Sequence, residues 1–216
     1  MSLPFDAPTL EGAFVRLEPL SMRHARDLAE AAEEDRSAYA FTLVPRADEV
    51  DEYIQAHLER SRRGEMVPFA QIRLSDERAV GCTTYFDFRT WPDRTDLCAL
   101  MVGWTWLGAS AQRSGINCEA KFLLFEHAFE RLGVLRVDLA TDARNHGSRR
   151  AIAGVGAQFE GVLRCWSRSY VRGEEGRLRD SAMFSLVVSD WPMVKASLAG
   201  GLRRNGDSDR QEPRPT

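Results

Sequence analysis

No two cysteines stand close enough in this chain to suggest a metal knuckle or a redox pair: Cys82, Cys98, Cys118 and Cys165 are scattered, with no C-x-x-C spacing. Histidine is equally sparse. His24, His57, His127 and His146 form no H-E-x-x-H pattern, so no metal site is assigned. Long apolar runs are missing too, and stretches such as 122–125 fall far short of the ~20 residues that a membrane span requires. The first residues, MSLPFD, have neither a basic region nor an apolar core, so a soluble, cytoplasmic protein without secretory processing is expected. There is no excess of positive charge: 29 basic against 32 acidic residues leave a net charge of −3, which gives no field for nucleic acid phosphates. No internal repeat is found. G-x-x-x-x-G-K-[ST] is absent, and no G-x-G-x-x-G follows an early strand, which argues against nucleoside triphosphates and dinucleotides.

What remains is the composition of a globular protein. Its 216 residues, 44% of them hydrophobic, suit one large domain and leave little room for a second. From Asn205 onward the chain is polar and proline-bearing, which predicts one domain over 1–204 and a loose tail over 205–216.

Periodicity predicts the element order βααβββαβαββα. Alternation over 13–19 reads as a strand closed by Pro19. Ser21 caps a helix running to about 34, and Asp48 caps another that Gly64 ends. Two apolar runs, 67–74 and 79–88, flank the turn-rich 75–78 and read as a hairpin. A longer strand over 97–107 precedes a helix over 115–131, a strand over 134–141 and a short helix near 147–155. Strands near 158–170 and 178–188, then a helix over 191–202, complete the order.

The junction at 107–117 carries the chemistry. A strand gives way to Gln112, Arg113, Ser114, Gly115, Ile116 and Asn117, which open an amphipathic helix. Backbone N–H groups at a helix start have no intrahelical partner and lie at the positive end of the dipole, so they converge on an anion. Arg113 adds a cation, and Gly115 permits close backbone approach, which suits a pyrophosphate. Glycine opens many helices for steric reasons alone, so the loop by itself favours an ordinary helix start more often than an anion site.

Its neighbours narrow the choice. GWTWL at 103–107, QRSGIN at 112–117, Glu119-Ala120-Lys121, HAFE at 127–130, Asn145 with Ser148, and FEGVLR at 159–164 together resemble the GNAT superfamily, in its RimJ/RimL-like branch. The likeness spans roughly 10–195. It implies an α+β fold with a mostly antiparallel sheet splayed at its centre around the cofactor and helices on both faces. It further implies acetyl-CoA as co-substrate and transfer of acetyl to a primary amine, either a protein N-terminal α-amine or a small molecule. A homodimer is compatible with it.

The same resemblance assigns roles. Residues 112–117 would cradle the CoA pyrophosphate, and Trp106 and Leu107 would pair with the pantetheine arm like an added strand. Asn117 stands where the family usually has Gly or Ala. Asn145 and Ser148 would reach pantetheine and the acetyl end, and Arg150 would touch a phosphate or simply remain solvated. Many relatives use a tyrosine in the short helix as acid, but 151–155 holds none, which leaves Ser148 as the catalytic candidate, with an ordinary helix-start hydroxyl as the equal alternative. The glutamate that often precedes the strand glycine by two residues is Met101 here, and a late-strand glutamate would fall near Ser167. Glu119, His127 and Asp180 remain, each with a structural reading: a dipole partner, an amphipathic-face histidine, and an ion pair with Arg179. No base is named, and the alternative is a catalytically weak acyl-CoA sensor.

Overall fold

The computed structural model describes residues 7–93 and 96–209. Strands β1 (Leu10–Glu11) and β2 (Val15–Pro19) lead through the 3-10 turn Met22–His24 into helix α1 (Ala25–Glu33), and a second 3-10 turn, Ala47–Glu49, leads into α2 (Val50–Arg62). Then come β3 (Met66–Arg73), β4 (Arg78–Arg89), β5 (Ala99–Leu107), α3 (Ile116–Glu126), β6 (Arg136–Asp142), α4 (His146–Gly154), β7 (Gln158–Arg168), β8 (Leu178–Val187) and α5 (Trp191–Asp209).

The predicted order is borne out, with differences that have local causes. The two-residue β1 is too short to show periodicity, and it pairs with β2 through Leu10 and Glu11. Asp48 is not the cap of α2: the chain first makes the 3-10 turn, and the Glu49 carboxylate takes the Arg46 N–H at 2.8 Å. Helix α3 does not run evenly to 131 but widens into a π-turn over His127–Arg131. Helix α5 continues to Asp209, so the boundary expected at Asn205 falls inside it, and 210–216 lie outside the described residues.

The eight strands form one sheet in the order β1-β2-β3-β4-β5-β6-β8-β7. Every neighbouring pair is antiparallel except β5 and β6. That parallel pair is brief: Ala99, Leu100 and Met101 face Arg136, Val137 and Asp138, and beyond them the strands pair no further. The cause lies in β5. Between Gly103 and Trp106 its register with β4 slips, and Trp104 takes a φ of 51°, a left-handed conformation that bulges the strand. Gly103 accommodates the bend, since a Cβ there would lie 2.9 Å from the Phe86 ring.

Each face of the sheet carries a core. One is built by α1 and α2, with Leu28, Ala32, Val50 and Ile54 over Ala70, Ile72, Cys82 and Trp106. On the other, Ala120, Leu124 and Phe125 of α3 and Trp191, Val194 and Leu198 of α5 cover Val67, Phe69, Tyr85, Leu100 and Leu186. Neither core closes the gap where β5 and β6 part.

Candidate active site

That gap is a cleft of about 500 Å³. Its floor is the free edge of β5. Successive residues of a strand turn their backbone groups to opposite sides. The Trp106 carbonyl turns toward β4, where it accepts from the Gln71 amide at 3.2 Å, and the same amide bonds the Cys82 carbonyl at 3.0 Å. Gly81 makes this possible, since a Cβ there would meet the Trp106 oxygen at 2.1 Å. Thr105 and Leu107 therefore direct their backbone groups to the open side. The Leu107 carbonyl is already engaged, by the Gln112 amide at 3.0 Å and the Tyr39 hydroxyl at 3.2 Å. The side chains of Trp106 and Leu107 are buried in the two cores, so the backbone is what this strand offers a ligand.

Beyond β5 the loop is shaped by short-range bonds. A 3-10 turn over Ala109–Ala111 is anchored by Glu34, whose carboxylate takes the Ser110 N–H at 2.6 Å and its hydroxyl at 2.9 Å. Ser114 donates its hydroxyl to the Ala111 carbonyl at 2.6 Å. Arg113 at φ 61° and Gly115 at φ 83° then turn the chain sharply into α3, whose first-turn N–H groups have no intrahelical partner. Gln112, Arg113 and Asn117 line the cleft, whereas Ile116 is buried in the core and Ser114 and Gly115 shape the turn. Left-handed turns before a helix start form a cradle that fits a pyrophosphate.

One cation of the site had no reading in the sequence. Lys121 lies one turn into α3, is 5% exposed, and lines the cleft. Its Nζ donates to Thr105 Oγ1 at 2.7 Å and Thr83 Oγ1 at 3.2 Å, and these two hydroxyls are 2.8 Å apart. Among the described residues it makes no ion pair with a carboxylate. Burial without a counter-charge pushes the amine down to about 7.

On the opposite arm, the Asn145 side chain caps α4 by accepting the Ser148 N–H at 2.9 Å. Asn145, so engaged, does the helix-start work, and Ser148 turns toward the cleft with Gly147, Ala151 and Ile152. Arg150 is exposed on α4 and is not part of the lining.

The candidate bases are placed elsewhere. Glu119 reaches back to the N-terminal strand, where its carboxylate collects the N–H groups of Ala13, Phe14 and Val15 at 2.7, 2.6 and 2.8 Å. His127 is buried against Tyr85. Asp180 accepts the Cys165 N–H at 2.9 Å, and among the described residues it makes no ion pair with Arg179, contrary to expectation. Arg179 instead lies over the Tyr170 ring at 5.3 Å, and that ring stands 5.7 Å from Trp104. Phe86, not its neighbour Tyr85, faces the cleft, joined by Phe41, Trp166, Tyr170, Arg179 and Ser181. Distance along the chain hid this cluster, since β4, β7 and β8 each contribute one or two residues and Phe41 and Tyr170 come from outside the strands.

Comparison with known proteins agrees with this geometry. Residues 15–158 match the family model "Acetyltransferase (GNAT) domain". The chain is 26% identical over 161 residues to the "Probable N-acetyltransferase YjcK" of Bacillus subtilis (strain 168), covering 72% of this chain and 86% of that one. A GCN5-related N-acetyltransferase from Brucella melitensis superposes with a TM-score of 0.77 at 26% identity, covering 91% of this chain and 86% of that one. Mycobacterium smegmatis RimJ, solved in complex with CoA-disulfide, shares the fold at a TM-score of 0.73 and 20% identity, covering 94% of this chain and 98% of that one. Among the described residues no group of three or more His, Cys, Asp or Glu could hold a metal ion, and no helix is long and apolar enough to cross a membrane.

Proposed function

Because this chain belongs to the GNAT acetyltransferase family, we propose that it moves acetyl from acetyl-CoA to a primary amine within the cleft between β5 and β6. The observation that carries the reading is the junction of a strand edge left open by the Trp104 bulge with a left-handed turn that opens α3. Acetyl-CoA supplies the activated thioester. Residues 112–117 and the start of α3 hold its pyrophosphate, and the open edge of β5 at Thr105 and the Leu107 N–H aligns its pantetheine arm. Arg150, exposed on α4, is left to the outer phosphates.

Transfer forms an N–C bond, breaks the C–S bond, removes a proton from the amine and returns one to the departing thiolate. Backbone N–H groups at the bulge support the developing oxyanion. Ser148, released from capping duty by Asn145, is the proton donor to sulfur. Among the described residues no carboxylate or histidine lines the cleft, and the Lys121 amine is already bonded to Thr83 and Thr105, so the acceptor amine loses its proton to water. Such a site favours an amine that is already partly neutral near pH 8, as chain-terminal α-amines are at a pKa of roughly 8, over a lysine side chain at about 10.4.

The test is release of free thiol from acetyl-CoA with a panel of amines. Saturable, amine-dependent release supports the reading. Binding of acetyl-CoA with no release for any amine supports instead an acyl-CoA sensor, the second reading, which the lack of a tyrosine in α4 and the Met101 side chain on β5 favour.

A further inference from the structure

The acceptor arm of the cleft holds two polar groups with nothing to bind. Arg179 Nε is buried and makes no hydrogen bond, and Ser181 Oγ, on a fully buried residue, likewise has none. They are two residues apart on β8 and so share one face of the strand, the face that lines the cleft. Asp142, whose charge acts on Arg179 without a hydrogen bond to it, is held by Arg144 at 2.8 Å, which also binds Glu174 at 2.8 Å. Charged side chains in the lining are Arg113, Lys121 and Arg179, with no Asp or Glu among the described residues. Arg113 and Lys121 belong to the β5–α3 arm, where the phosphates would lie. Arg179 is on the other arm, braced against Tyr170, which reaches across to Trp104.

We propose that the acceptor is a primary amine that also carries a carboxylate, docked on Arg179 and Ser181 against the Trp104–Tyr170 wall. This rests on the transferase reading and adds a substrate class to it. A guanidinium beside a hydroxyl presents donors in the geometry a carboxylate accepts, and an aromatic wall covers the body of the molecule. The same lining disfavours polyamines and aminoglycosides, because a polycation would meet the Arg113 and Arg179 guanidiniums and, among the described residues, no acid. Free amino acids and short peptides with an acidic residue share the required chemistry, and the two are separated by including both.

Calorimetric titration of the protein in saturating CoA with acetylated products tests this without needing turnover. Matched pairs are used: N-acetyl amino acids of acidic, apolar and aromatic type and N-acetylated acidic dipeptides, each against its neutral amide. The expected result is that at least one carboxylate binds tenfold or more tighter than its amide, that Arg179→Gln levels the pair, and that Arg179→Lys restores part of the difference. Melting temperature of each variant checks folding. If no carboxylate outbinds its amide, if Arg179→Gln keeps the preference, or if that variant instead loses CoA affinity, the proposal is wrong. Failure of every amine to release thiol would contradict acetyl transfer, whereas the carboxylate preference is decided by the titration alone.

Discussion

Replacing Lys121 by methionine should make the protein more stable at neutral pH, and the gain should vanish as pH rises. The Lys121 amine is held at about 7 in the folded protein, against 10.5 when freely solvated. Between those values the unfolded chain binds more protons than the folded one, so the wild-type protein gains stability with increasing pH, at about 1.4 kcal/mol per pH unit. Integrated from 10.5 down to pH 7, this amounts to a penalty of about 4 kcal/mol that is fully developed below pH 7 and absent above 10.5. Methionine fills a similar volume without a charge. Thr83 and Thr105 stay bonded to each other, so the lost amine contacts offset the gain by only about 1–2 kcal/mol, independent of pH. Urea unfolding of both proteins at pH 7, 8, 9 and 10 measures the difference, in which other titrating groups cancel. The variant should lead by about 2–3 kcal/mol at pH 7 and lose that lead before pH 10. A difference that stays constant across the series would refute a buried, uncompensated amine.

Gly115 takes a φ of 83° at the start of α3, so Gly115→Val should cost about 1–2 kcal/mol of stability and weaken CoA binding at least a hundredfold by calorimetry. Glu119→Ala leaves the N–H groups of Ala13, Phe14 and Val15 without their acceptor, so a loss of about 3 kcal/mol or more is expected in chemical denaturation, with faster amide exchange in β2. Gly12→Ala should do similar damage, since its Cβ would lie 2.3 Å from the Glu119 carboxyl carbon. Ser148→Ala should lower kcat at least tenfold while CoA affinity, read by calorimetry, changes less than twofold; equal losses in both would assign Ser148 to binding.

Apart from the two-residue β1, the order of elements was legible because each carries its own period and punctuation: Gly64 ends α2, and Pro19 closes β2. The turn proposed to hold the cosubstrate was legible as a turn for the same reason, since residues 107–117 are contiguous and their turn chemistry is local. The splay of the sheet was not. It depends on the bulge at Trp104 and on Gln71 reaching over Gly81 to bond the Trp106 carbonyl, a contact between strands that no spacing encodes. Glu119 illustrates the limit differently. A glutamate in the first turn of a helix reads as a dipole partner, yet this one collects three N–H groups more than a hundred positions away. Lys121 and Arg179 were invisible because their significance lies in what does not face them, a property of the packed protein alone.

The most direct test of the account is the melting temperature of the protein with and without acetyl-CoA. At about a hundred times its dissociation constant a ligand specific for the folded state adds about 2.7 kcal/mol, which for a chain of this size raises the midpoint by roughly 5–10 °C. That rise, lost in Gly115→Val, is the predicted result. No shift with either acetyl-CoA or CoA at millimolar concentration would contradict the assignment of the β5–α3 cleft to the cosubstrate.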